Sequence, residues 1–211
     1  MSESDEIKHT FICGITGSGK TVYARKWFEN TDKRAIFVNT TEDLETMKAA
    51  DVIVKKPEDV VKAFRDGKRK VCYNCGKNRD LTQIRDFMFQ VGLEVNKADI
   101  AHIFDVFVDE AHDNWDGIED LSTRGRRHGV QLITISQHPA VMTRRYENTV
   151  LTQVQNHVIF ELGTYSKPYL DKYAIPYREH QSWLGKINGQ FSHRFIEFDG
   201  VTVTRYNPLK L

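Results

Sequence analysis

Along the chain, short apolar runs alternate with stretches whose apolar positions recur every three or four residues. The short runs are rich in β-branched and aromatic residues: His9–Cys13, Ala35–Asn39, Asp51–Val54, Lys70–Tyr73, Ile103–Val108, Gln131–Ser136 and His157–Leu162. Those at 103–108 and 131–136 are almost continuously apolar, the pattern of strands buried on both faces. Between the runs, Lys20–Glu29, Pro57–Arg65, Asn78–Val91 and Trp115–Arg127 predict amphipathic helices. Pro57 suits a first helical turn, where no hydrogen bond is asked of its nitrogen. This alternation predicts an α/β fold with a mostly parallel central sheet flanked by helices. Near the end, Gln190–Phe198 and Val201–Tyr206 flank Asp199-Gly200, a dipeptide that favours a tight hairpin turn. A C-terminal antiparallel β-ribbon, over about residues 188–207, is therefore expected to close a single domain of residues 1–211.

Composition narrows the function classes. The 211 residues are 40% hydrophobic and 28% charged with a formal net charge of +1, so any nucleic-acid contact must come from local clusters rather than a global basic field. The clusters are Lys68-Arg69-Lys70, Lys77-Asn78-Arg79 and Arg144-Arg145, each, taken singly, read more readily as a solvated surface than as a DNA contact. No apolar run reaches the roughly 20 residues of a transmembrane segment, and the start MSESDEIKHT is polar and acidic, unlike a signal peptide. The three cysteines are Cys13, Cys72 and Cys75. A lone Cys72-x-x-Cys75 offers half the ligands of a zinc site and reads as an ordinary strand end in a reducing compartment.

The chemistry is concentrated in a glycine-rich loop. Gly14-Ile15-Thr16-Gly17-Ser18-Gly19-Lys20-Thr21 satisfies G-x-x-x-x-G-K-[ST], with an apolar strand before it and a helix, entered through Val22, after it. Glycines let successive backbone N–H groups surround phosphate oxygens, and the helix turns its positive end to the anion. Lys20 is placed to reach the β- and γ-phosphates of ATP, and the Thr21 hydroxyl to ligate Mg²⁺. Such a loop on the first strand of a parallel sheet predicts a P-loop NTPase.

The run at 103–108 ends in Asp109-Glu110. Two adjacent carboxylates at the mouth of a buried strand are costly unless something needs their charge. A metal–nucleotide complex supplies that need, with Asp109 on Mg²⁺ and Glu110 polarising the attacking water. A water-activating glutamate favours hydrolysis over kinase chemistry, which must exclude water. Gln137 ends the run 131–136. If that strand neighbours the first, Gln137 faces the γ-phosphate. His112 and His138 read as structural polar residues.

Three segments together, GITGSGKT, FVDEAH and STRGRRHGVQLITISQHP, resemble the FtsK/HerA superfamily of DNA-pumping ATPases, and among them the small genome-packaging ATPases of tailless, internal-membrane viruses. The likeness runs from about residue 8 to the end and is weakest over roughly 40–100. Position by position, it places Lys20 and Thr21 in the first motif, Asp109 and Glu110 in the second, and Gln137 at the sensor. Arg126 aligns with an arginine that completes a neighbouring subunit's site, with Arg124 and Arg127 as rivals. His138 departs from the arginine many relatives carry there. The resemblance implies a RecA-like P-loop NTPase fold, a hexameric ring threaded by double-stranded DNA, a capsid or portal vertex as partner, and a setting in the host cytoplasm or on the virion. It leaves open a cellular HerA-like pump or secretion ATPase. Tyr165 and Tyr169 are candidates to stack on adenine. From the residues alone, a small-molecule kinase and a nucleotide-gated binding module also stay open.

Overall fold

A computed structural model describes residues 6–95, 101–111, 113, 115–137, 149–163 and 166–209. His112, His138, Arg144, Arg145 and Tyr165 lie outside the described residues. The strands are β1 (Thr10–Cys13), β2 (Arg34–Asn39), β3 (Val52–Val54), β4 (Lys70–Asn74), β5 (Phe104–Val108), β6 (Val130–Ser136), β7 (Asn156–Ile159), β8 (Phe195–Phe198) and β9 (Val203–Tyr206). The helices are α1 (Lys20–Asn30), α2 (Leu44–Lys48), α3 (Pro57–Arg65), α4 (Thr82–Val95), α5 (Ile118–Arg124), α6 (Lys167–Lys172) and α7 (Gln181–Leu184). One nine-stranded sheet runs in the order β3-β4-β2-β5-β6-β1-β7-β8-β9. It is parallel from β3 to β7 and antiparallel at β7–β8 and β8–β9.

Alternate residues of each strand feed opposite faces. On one face Ile12, Phe37, Phe107, Ile133, Ile135 and Val158 pack with Ala24 and Phe28 of α1. Phe28 meets Phe37 and Phe107 edge-on at 5.7 and 5.8 Å between ring centres, an arrangement that adds to area burial. On the other face Phe11, Ile36, Val106 and Leu132 lie under α3, α4 and α5. Every residue of β5 and β6 is buried, the polar Asp105, Gln131 and Thr134 included, as their almost continuously apolar runs predict.

Element boundaries differ from the pattern where side chains intervene. The helix expected at Asn78 starts at Thr82, because residues 79–81 pair instead with Asp116: its N–H donates to the Arg79 carbonyl (2.8 Å) and its own carbonyl accepts from Leu81 N–H (2.9 Å). The helix expected over Trp115–Arg127 begins at Ile118 and tightens at Gly125–His128 into a 3-10 turn. That turn rests on α4 at Gly92, where a Cβ would stand 2.4 Å from the His128 carbonyl oxygen. The strand expected to reach Leu162 leaves the sheet after Ile159, and its continuation backs the glycine loop, with Ile15 N–H donating to Glu161 O (2.8 Å). The ribbon forms, but its turn spans Asp199 to Thr202, because the Asp199 carboxylate accepts from the N–H groups of both Val201 and Thr202 (2.9 and 2.7 Å). Far from standing apart, the ribbon extends the main sheet through β8. Among the described residues, no helix is long and apolar enough to cross a membrane.

Candidate active site

The glycine loop leaves β1 at the carboxyl edge of the sheet and enters α1 at Lys20. Gly19, at φ 110°, caps the helix in a conformation open to glycine alone at little cost. Gly14 is required by space, since a Cβ there would stand 2.6 Å from the Phe160 Cβ and 2.7 Å from the Ser18 hydroxyl. Lys20 is 8% exposed, and its ammonium donates to the Ile15 carbonyl across the loop (3.1 Å). Burial lowers its pKa, while the nearby Glu110, Cys13 and Asp109 pull it back up. The lysine and the acid pair therefore share one electrostatic site.

Strand order places the three expected motifs side by side. β6 is hydrogen-bonded to β1 on one side and to β5 on the other, with Cys13 opposite Ser136 and Val108 opposite Thr134. The acids therefore stand one strand away from the glycine loop rather than on a strand adjacent to β1, and Gln137, leaving β6, fills the gap. Its side-chain amide donates to Glu110 Oε1 (3.0 Å), and its oxygen accepts from the Thr16 hydroxyl (3.0 Å). Thr16, Gln137 and Glu110 so form a continuous relay from the loop to the acid.

Asp109 is 3% exposed and accepts from the Thr41 hydroxyl (3.2 Å). Burial, with the Glu110 charge second, raises its pKa from 3.8 to about 6. A buried carboxylate so disfavoured as an anion, in the electrostatic reach of Lys20, is a hard oxygen donor of the kind Mg²⁺ takes, few such oxygens coming from protein and the rest from phosphates and water. The pH consequence follows from the sign of the shift. Between its ordinary value and about 6, the folded protein holds this proton more tightly than the unfolded chain does, so this group's contribution to stability falls as pH rises across that window. Without metal or nucleotide, Asp109→Asn should remove that component, and thermal melts should show the variant gaining on the wild type as pH rises from about 4 to about 6. Parallel melting curves would contradict the assignment of Asp109 as a destabilised anion.

Arg126 lies at the other end of the sheet. It is half-buried in the 3-10 turn before β6, next to His9 at the start of β1. His9 is held near pKa 4, first by burial and then by the Arg126 charge. The full length of β6, about 20 Å at a strand's rise, separates this turn from Gln137, farther than an arginine side chain extends. Arg124 is engaged by Asp120 (3.8 Å) and the Phe89 ring (5.5 Å), and Arg127 is exposed.

Beside the loop opens a cavity of about 280 Å³, lined by Gly17, Gly19, Lys20, Thr21, Val22, Phe160, His193, Pro208 and Leu209. Sequence reasoning missed Phe160, His193, Pro208 and Leu209. The segment before β8 folds back so that Phe191 lies against Gly17, and the His193 ring nitrogen Nδ1, when protonated, donates to Ser18 O (3.2 Å). No local pattern around Phe160, His193 or Asn207-Pro208 marks them as part of a site. Tyr169 is not at this cavity: it is buried against Phe11 and bonded to His157 (2.7 Å). The basic clusters are partly spent. Arg69 and Lys70 donate to backbone carbonyls of Asp32 and Glu29, and Arg79 pairs with Asp113 (2.9 Å). All three cysteines are buried and free. Among the described residues, no cluster of three or more His, Cys, Asp or Glu side chains is placed to hold a metal.

No protein-family model and no curated protein matches the sequence. Solved structures do match. The genome-packaging NTPase B204 of Sulfolobus turreted icosahedral virus 2, in complex with ATP-gammaS, superimposes with a TM-score of 0.66 at 15% identity, over 97% of this chain and 99% of that one. B204 from Sulfolobus Turreted Icosahedral Virus, described as a DNA-packaging ATPase, gives 0.66 at 16% identity over 98% and 100%. VirB4 of Thermoanaerobacter pseudethanolicus gives 0.62 at 13% identity over 96% and 90%. At such identities the likeness is one of architecture, and it covers 96–98% of the chain: the protein shares the fold of the B204 packaging NTPases and of VirB4.

Proposed function

We propose that residues 1–211 form one ATPase domain that hydrolyses ATP to move double-stranded DNA into a preformed capsid, working as a homo-oligomeric ring, a hexamer by resemblance, at a portal vertex in the host cytoplasm or on the virion. The observation that carries the hydrolytic part is the Thr16–Gln137–Glu110 relay beside Lys20. In this reading Gly14 to Val22 wrap the triphosphate, and the cavity against Phe160, His193 and Leu209 takes the base. Thr21 and Asp109 hold Mg²⁺, whose charge offsets that of the β- and γ-oxygens. Glu110 takes a proton from water as its oxygen bonds to the γ-phosphorus and the bond to the β-phosphate oxygen breaks. Gln137 touches both loop and base, so loss of the γ-phosphate alters a contact it makes directly. The whole-length likeness to packaging NTPases supports the transport part. A secretion-type motor is the second reading, supported by the likeness to VirB4.

The test is phosphate release from Mg²⁺-ATP with and without linear double-stranded DNA. Stimulation that fades steeply between low and moderate salt is the expected result, because phosphate contacts release counterions. DNA-indifferent turnover would move the reading to the secretion class. Phosphate delivered to a small acceptor instead of water would move it to the kinases.

A further inference from the structure

The Walker-type acid Glu110 is held in an unusual backbone conformation, and the residues that hold it converge on one arginine. Glu110 has φ 48°, a left-handed conformation that is costly for a side-chain-bearing residue and does not persist unsupported. Support comes from both sides. Ala111 N–H donates to Ile135 O of β6 (2.9 Å), tying the chain to the sheet. The Glu110 carbonyl accepts from Asp113 N–H (3.0 Å) and, at a long 3.4 Å, from the Trp115 indole.

Asp113 and Trp115 are in turn gripped by Arg79, which comes from the loop after β4. The Arg79 Nε donates to the Asp113 carboxylate (2.9 Å), and its guanidinium lies over the Trp115 ring, 4.8 Å from the centre. Its NH1 donates to Gly76 O (2.6 Å), so the arginine is itself anchored at its base. The two loops are zipped together beyond this point. Asp116 exchanges backbone hydrogen bonds with Arg79 and Leu81, and Gly117, at φ +87°, passes so close that a Cβ would stand 3.2 Å from the Leu81 carbonyl carbon. An arginine counted by its neighbours in sequence as part of a basic surface cluster therefore points inward.

We propose that Arg79 is a positioning residue for hydrolysis: by clamping Asp113 and Trp115 it keeps the Glu110 backbone in the conformation that presents its carboxylate to Gln137 and the attacking water. The inference rests on the reading of Glu110 as the base. Arg79 itself touches neither nucleotide nor water. Without the clamp, Glu110 relaxes toward ordinary dihedrals, and its carboxylate swings off its mark while the nucleotide pocket stays as it is. A displacement on the order of 1 Å at a base is worth as much as 10²-fold in rate.

The experiment measures basal phosphate release and direct Mg²⁺-ATP binding for Arg79→Ala, Arg79→Lys, Glu110→Gln and the Arg79→Ala/Glu110→Gln double variant. Arg79→Ala should lower kcat about tenfold or more, with nucleotide affinity within about twofold of wild type. Arg79→Lys, which retains charge but loses the planar fork and the stacking, should fall between. In the Glu110→Gln background, Arg79→Ala should cost nothing further, since the group it positions is gone. A repeat of the full loss in that background, or a loss confined to nucleotide affinity, overturns the proposal. Should Arg79→Ala not fold, the same cycle with Arg79→Lys decides the matter. Unchanged turnover in Glu110→Gln alone would instead remove the base assignment, a failure recognisable apart from any result at Arg79.

Discussion

Glu110→Gln is expected to bind Mg²⁺-ATP as the wild type does and to lose about 10²–10⁴-fold in turnover, the usual range for removing a general base. The substitution is close to isosteric, and the amide oxygen can still accept from the Gln137 side chain, as Oε1 does at 3.0 Å. The relay to Thr16 therefore survives, and what disappears is the basicity. One negative charge also leaves the neighbourhood of Asp109, whose pKa that charge helps to raise, so metal coordination is eased rather than harmed. Single-turnover phosphate release beside a fluorescent-nucleotide titration separates the two effects. Turnover within about twofold of wild type would show that the attacking water loses its proton elsewhere.

The same geometry weighs against a kinase. A phosphotransferase needs its acceptor where water would attack, and it needs that place dry. Here the place is framed by Glu110 and by Gln137, an exposed side chain at the open edge of the sheet. The two acids, adjacent in sequence, differ in burial and in what they contact. Asp109 is enclosed at 3% exposure and pushed up to about 6, whereas Glu110, half-buried at φ 48°, accepts from the exposed Gln137 side chain.

What was legible in the sequence was whatever depends on local pattern. The nearly continuous apolar runs of β5 and β6 declared their burial, and the spacing Gly14 to Thr21 declared a phosphate loop, because each follows from the stereochemistry of a few consecutive residues. Gln137 was half legible: its place at a strand end could be read, but its usefulness depended on β6 lying beside β1, a matter of topology. Illegible were the features made by chain segments far apart in sequence. Nothing near Phe160, His193 or Leu209 announces that they line a cavity with Gly17 and Thr21, since no local period encodes the return of the C-terminal segment over the loop. Arg79 was misleading for the same reason. Beside Lys77 it reads as surface charge, and only the pairing of residues 79–81 with Asp116 turns it inward. Helix ends failed wherever such pairing competes, as at Asn78, or where a glycine changes the pitch, as at Gly125.

Arg126 leads to the second large effect. Its turn lies at the entry end of β6 beside His9, while its own glycine loop lies at the exit end beside Ser136. A finger from this position cannot serve its own γ-phosphate; if it serves one, that site belongs to a neighbour in a head-to-tail ring. Arg126→Ala should then abolish most turnover in the pure variant, about 10³-fold or more for a finger supplied in trans. Each Arg126→Ala subunit nevertheless keeps an intact loop and base, and each Glu110→Gln subunit keeps its finger. Two inactive proteins, mixed equally and allowed to reassemble, should therefore regain activity. Half the sites carry Glu110, and half of those face a neighbour with Arg126, so recovery approaches about a quarter of wild-type turnover. The same mixture with Arg124→Ala or Arg127→Ala in place of Arg126→Ala identifies which side chain of the turn does the work. A mixture that stays as inactive as its components would place the arginine's role within its own subunit, and the ring-dependent part of the mechanism would fall with it.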